Sequence, residues 1–183
     1  AKLQRAVRAV AQLDDEVAAF EGSEDLRRKV ARVLCRAVVV AQEAHARGLV
    51  HENLRPANVF VDVSGKVWLT GFGARPPIGP AVDASGALQG RMNSLPYMAP
   101  EQTGRVKRSI DARSDLYALG VVFYEMLTGE LPFVAVDAVE WVHAHVARRP
   151  IPLQQRNEAV PSVLERIVLK LLAKGPEDRY QTA

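Results

Sequence analysis

The stretch SDLYALGVVFYEMLTG, Ser114 to Gly129, is apolar on nearly every face. A helix of that character is a buried helix, so the rest of the chain has to surround it. With 183 residues, 48% apolar and 25% charged, the chain has the size and composition of one globular domain with a real core. The net charge of +3 is mild, and no Lys/Arg block with interleaved aromatics accompanies it. Nucleic acid is therefore not an expected partner.

Other segments read as partners for that helix. Leu26, Val30, Val33, Leu34, Ala37, Val38, Ala41 and Ala44 recur at helical spacing, with Ser23 as N-cap and Gly48 as the stop. ANVFVD and KVWLT alternate around VSG, which predicts a hairpin with Gly65 in its turn. Between Gly71 and Glu101 no periodic element is legible, and Pro76, Pro77, Gly79, Pro80, Gly86 and Gly90 interrupt the run. A loop that long in a compact domain is usually functional. VDAVEWVHAHVARR reads as a half-buried helix, and PSVLERIVLKLLAKG places Leu164, Ile167, Val168, Leu171 and Leu172 on one face. His143 and His145, two apart, do not face the same way on a helix, so no metal site is expected there.

The single cysteine, Cys35, rules out a disulfide within the chain and favours a reducing compartment. The longest apolar run, Ala37–Ala41, is too short to span a bilayer, and no signal peptide is visible. The chain opens on Ala and ends on EDRYQTA in mid-pattern. It reads as a piece of a longer protein, with residues 1–23 an N-terminal helix or a remnant of an upstream region.

Five motifs, in order, carry a resemblance. HENLRPAN (His51–Asn58) is similar to the protein-kinase catalytic loop H-R-D-L-K-P-x-N, and LTGFG stands where that family has D-F-G. YMAPE (Tyr97–Glu101) resembles the A-P-E motif, SDLYALG the start of the buried central helix, and EDRY (Glu177–Tyr180) the closing Arg motif. The resemblance covers about residue 24 to the end. It implies an α+β, mostly α fold: a protein-kinase-like C-terminal lobe over 24–183, truncated before its last helix, with one small hairpin and a long activation-type loop. Ser114–Leu127 would be its central helix, contacted by helices over about Leu26–Arg47 and Val163–Lys174. The string from Tyr97 to Phe133 further resembles the degenerate serine/threonine-kinase-like domain of large bacterial sensor proteins, where it accompanies an AAA-type ATPase, a GAF module and a histidine kinase.

The chemistry is where the match thins. Phosphoryl transfer depends on positioned charge. The family's catalytic-loop Asp is here Asn53, an amide that accepts no proton near neutral pH. Losing a positioned base typically costs ~10²–10⁴ in rate. The D-F-G Asp, which holds Mg²⁺, is here Gly71, with no side-chain oxygen. Asn58 matches the second metal ligand, Arg55 replaces the loop Lys, and Glu52 replaces the Arg beside the base. No G-x-G-x-x-G and no V-A-I-K-like strand precedes His51, so the N-lobe is either cut from this chain or absent. The structural positions match instead. By the resemblance Glu101 pairs with Arg179, Asp115 receives backbone N–H groups of the catalytic loop, and His51 packs in the core.

No catalytic position is intact by this reading, and no metal or cofactor is expected; ATP and Mg²⁺ enter only if the chain is an unorthodox kinase. The function expected is a kinase-like (pseudokinase) regulatory or docking module of a cytoplasmic signal-transduction protein. Its partners would be other domains of the same polypeptide or a signalling protein, without membrane insertion. The alternatives are a weakly active serine/threonine kinase and an interaction domain that binds no nucleotide. Arg28, Arg32 and Arg36 form a stripe at i, i+4 and i+8, read as a solvated face. Arg28→Ala and Arg32→Ala should each change the free energy of urea unfolding by less than ~0.5 kcal/mol.

Overall fold

A computed structural model describes residues 24–62, 64–73 and 93–182. Ser23, residues 1–22 and most of the Gly/Pro-rich run lie outside the described residues, as do the side chains of Cys35, Arg28 and Arg32. The described elements are helices α1 (Glu24–His45), α2 (Ala112–Thr128), α3 (Ala138–Ala147), α4 (Leu153–Arg156) and α5 (Ser162–Leu171), with strands β1 (Val59–Val61) and β2 (Val67–Leu69). The fold is mostly α with one small antiparallel sheet, and α1 and α5 both pack on α2. Among the described residues no helix is long and apolar enough to cross a membrane.

Helix α2 is the centre because its sequence leaves it no wet face. Every residue from Ser114 to Tyr124 is buried, and exposure rises only in the last turn. Asp111 caps its start, accepting from the Arg113 N–H at 2.9 Å, and Gly129 ends it at φ 75° with its N–H on the Glu125 carbonyl. Gly120 sits mid-helix, where glycine costs ~1 kcal/mol against alanine. The reason is close approach: a Cβ there would meet the Cβ of Leu171 in α5 at 2.8 Å.

Helix α5 begins after Pro161 and buries Val168 and Leu171, with Leu172 just beyond its end and Leu164 and Ile167 half-buried. Both outer helices stop short of the ranges the spacing predicts, α1 at His45 and α5 at Leu171. Helix α4 is too short for periodicity to reveal; its buried Leu153 seats it beneath α2 and α5. Two 3₁₀ turns, Leu95–Tyr97 and Pro100–Thr103, occupy the end of the stretch that reads as loop.

The hairpin pairs Val59 with Leu69, Phe60 with Trp68 and Val61 with Val67. Asp62 organises its turn by accepting from the N–H groups of Ser64 (2.8 Å) and Lys66 (3.0 Å), and these bonds together with the Ser64 hydroxyl pull its carboxyl down to about 2. Arg36, the last residue of the basic stripe, is exposed but donates to the Gly65 carbonyl, so it docks on the hairpin turn rather than on water alone.

The C-terminal segment is tied to the core by a buried ion pair. Arg179 meets Glu101 through two parallel bonds of 2.7 and 3.0 Å, with side chains 0% and 1% exposed. Desolvating two such ions costs several kcal/mol each, so every donor and acceptor must be used. They are. Arg179 also donates to the carbonyls of Ala173, Arg113 and Lys174, stacks over Tyr117 at 4.9 Å, and leaves Glu101 to accept the Ser114 hydroxyl at 2.7 Å. Burial opposes the charge of Glu101, but the Arg179 bonds outweigh it and hold the carboxyl below the usual range. Arg179→Ala should strand Glu101 and lower the free energy of urea unfolding by ~3–5 kcal/mol. A urea midpoint equal to the parent's would contradict this.

Candidate functional site

The loop from His51 to Asn58 runs from α1 to β1 and is shaped by one carboxylate. Asp115, in the first turn of α2 and 1% exposed, accepts from the N–H of His51 at 2.8 Å and of Glu52 at 2.9 Å. It also bonds Nε2 of His45, from the last turn of α1, at 2.8 Å. One side chain thus joins two helices to the loop.

That grip forces an unusual backbone. Glu52 lies at φ 62°, the left-handed region, where a residue with a Cβ is held at a cost of ~1–2 kcal/mol. Its N–H belongs to Asp115, and its carbonyl accepts from Nε2 of Gln102 at 2.8 Å. Gln102 in turn accepts the Ala99 N–H at 2.9 Å. The segment around Glu101 and the loop are therefore clamped together through Gln102.

His51 is buried, with Nδ1 accepting from the Asn53 N–H at 3.3 Å, which assigns the ring proton to Nε2. Nε2 has no hydrogen-bond partner among the described residues, and the ring lies 4.4 Å from Phe72. Burial lowers the pKa of His51 against the pull of Asp115, so the ring stays neutral. Arg55 is half-buried, and its Nε is enclosed without a partner among the described residues.

Asn58 donates from Nδ2 to the Asn53 carbonyl at 2.7 Å, and its carbonyl receives the Thr70 N–H at 3.0 Å. The other face of the amide looks at Gly71. A Cβ built on Gly71 would lie 3.1 Å from Nδ2 and 3.3 Å from Oδ1 of Asn58. Gly71 is itself at φ 78°, a conformation that Asp and Asn tolerate better than most residues. The geometry sets the Asn58 amide between the Asn53 main-chain carbonyl and Gly71. The donor set at this point is one amide oxygen and no carboxylate, whereas a hard divalent cation wants several charged oxygens. No group of three or more His, Cys, Asp or Glu able to hold a metal occurs among the described residues. The residues do not fit Mg²⁺.

A small open cleft separates Asn53 and Leu54 from Ser94, Tyr97, Met98 and Gln102. Its far wall is braced from behind. Tyr97 donates to Oε2 of Glu125 at 2.7 Å, and His145 bonds the Leu95 carbonyl at 2.8 Å and the Tyr117 hydroxyl at 3.0 Å. Burial pushes His145 down to about 3, so it is a neutral brace, stacked on Trp141; His143 is exposed. His45 and Gln102 escaped the sequence reading, and His145 entered it only as an unsuitable metal ligand, because only the tertiary fold reveals their partners. For Gln102, its place directly after the A-P-E Glu was an available signal.

The strain at Glu52 gives a test. Glu52→Gly should leave unfolding free energy within ~1 kcal/mol of the parent or raise it, since relief of left-handed strain offsets glycine's entropy. Glu52→Val, β-branched at positive φ, should destabilise by more than ~1 kcal/mol in the same urea assay.

The protein kinase domain model matches residues 10–183. The serine/threonine-protein kinase PknB of Mycobacterium leprae is 41% identical over 142 residues, covering 76% of this chain and 22% of that protein. Serine/threonine-protein kinase Pkn1 of Myxococcus xanthus is 39% identical over 174 residues, 90% of this chain and 24% of that protein. A shorter match, 51% over 87 residues, joins 48% of this chain to 2% of hybrid signal transduction histidine kinase G of Dictyostelium discoideum. The chain spans about a quarter of the length of the two serine/threonine kinases. A match over nearly the whole chain, together with the Asp115-centred loop and the Glu101–Arg179 pair, leads to one conclusion: this chain belongs to the protein kinase domain family.

Proposed function

We propose that this chain is a kinase-like regulatory or docking module of a signal-transduction protein, without phosphotransferase activity of its own. The observation that carries this reading is the juxtaposition of Asn53, Asn58 and Gly71. Where the family resemblance puts a base and a metal-holding carboxylate, the chain has an amide and a bare backbone. The groups that build the lobe are all engaged in buried bonds. Its partners are other domains of the same polypeptide or a separate signalling protein, in the cytoplasm. The name of the Dictyostelium relative, a hybrid signal transduction histidine kinase, supports a signalling setting.

A second reading, a weakly active serine/threonine kinase, draws on the names of the PknB and Pkn1 relatives. Thermal melting with and without Mg²⁺ and ATP, beside label transfer from γ-labelled ATP to a generic protein substrate, separates the two. The module reading expects no transfer and no Mg²⁺-dependent gain in Tm. The double variant Asn53→Asp/Gly71→Asp places two carboxylates beside Asn58 and should gain Mg²⁺-dependent stability. A ligand at a hundredfold excess over Kd adds about 2.7 kcal/mol. Clear Mg²⁺–ATP stabilisation of the unmodified chain would overturn the module reading, and Mg²⁺-independent stabilisation by ATP would mark retained nucleotide binding.

A further inference from the structure

Between the 3₁₀ turn Pro100–Thr103 and the cap of α2, the run Gly104 to Ile110 forms no helix or strand. Both ends are fixed: the Thr103 hydroxyl donates to the Pro100 carbonyl at 2.6 Å, and Asp111 caps α2. Gly104, Arg105, Lys107, Arg108 and Ser109 are exposed. The run is therefore a tethered, solvent-facing loop that an enzyme can draw out without unfolding the core.

Ser109 differs from the other hydroxyls among the described residues. The hydroxyls of Ser64 and Thr128 are already bonded, to Asp62 and to the Tyr124 carbonyl, while Ser94, Thr103 and Ser114 are buried. Thr70, Ser162 and Thr182 are exposed, but Thr70 follows a strand whose sequence is VWL, Ser162 opens α5 after NEAVP, and Thr182 follows EDRYQ, whose one cation, Arg179, is buried against Glu101. Ser109 alone of these follows a basic flank, RVKR, with cations one, two and four residues before it.

We propose that Ser109 is a phosphorylation site for a serine/threonine kinase that selects basic residues N-terminal to its acceptor, and that the phosphate then takes Arg108 from Glu177. In the transfer, Oγ of Ser109 attacks the γ-phosphorus of ATP held with Mg²⁺ by that kinase. The Oγ–P bond forms, the bond from the γ-phosphorus to the β,γ-bridging oxygen breaks, ADP departs, and the hydroxyl proton passes to the kinase's base. Arg108 currently reaches Glu177 at 2.7 Å, in a pair 39% and 58% exposed and so weakly held. A phosphoserine carries about two negative charges and three acceptor oxygens, one residue from the same guanidinium. Glu177 is the central residue of the 3₁₀ turn Pro176–Asp178, which leads into Arg179, so the exchange frees the loop from the closing segment. The inference does not rest on whether the module itself transfers phosphate.

The test treats the full chain with the catalytic domains of protein kinase A and protein kinase C, Mg²⁺ and ATP, and locates phosphate by tandem mass spectrometry. Phosphate should appear at Ser109, vanish in Ser109→Ala, and fall at least ~10-fold in Arg105→Ala/Lys107→Ala/Arg108→Ala, whose exposed positions leave Tm unchanged. No phosphate at Ser109 with either enzyme, or undiminished labelling of the triple variant, would overturn the site. The exchange is read by ³¹P NMR on the phosphorylated chain. The second phosphate pKa should fall below the ordinary value of about 6 and return toward it in Arg108→Gln; identical titrations in the two would overturn the exchange.

Discussion

The first turn of α2 carries two polar side chains on which the arrangement of everything around it depends. Asp115 receives the loop of His51 and Glu52 together with His45 of α1, and Ser114 beside it donates to Glu101, the partner of Arg179. Four separate segments therefore converge on two adjacent residues of one helix. Buried as they are, these bonds have no water to fall back on, so losing one leaves its partner desolvated and unpaired. That is why a charged network can specify a single geometry even where it adds little net stability.

The residues that build this network are not those at the positions where the family holds its base and metal, Asn53, Asn58 and Gly71. The bonds that set the loop, the left-handed backbone of Glu52 and the clamp through Gln102 are all present. At the point where they converge, the side chain offered is the amide of Asn58, bonded to the Asn53 main-chain carbonyl, with Gly71 opposite. Such a loop keeps its shape because its shape never depended on the missing carboxylates; backbone N–H groups and Asp115 determine it. The cleft between Asn53 and Tyr97 owes its rigid wall to the same kind of bond, a neutral, deeply buried His145.

Legibility in the sequence followed the range of the interaction. Helix α2, the amphipathic face of α5 and the hairpin around Gly65 were readable because periodicity and turn chemistry act within a few residues. Element ends shifted by one to three residues, and α4 was invisible, because a four-residue helix has no period to detect. Motif order brought Glu101 to Arg179 and Asp115 to the loop across 78 and 63 residues, but only through family resemblance.

The sequence by itself determined which residue types are available at each point: an amide at position 53, no side chain at 71, no wet face on α2. Those facts limit the chemistry whatever the chain does in space. The tertiary structure decided which of them meet. It placed Gly71 against the Asn58 amide, set Gly120 close to Leu171, joined Gln102 to Glu52, and buried His145 while leaving His143 in water. None of these follows from local spacing, because each depends on how helices and loops distant in sequence pack around α2, where burial and partner geometry, rather than residue type, determine charge, strain and hydrogen bonding.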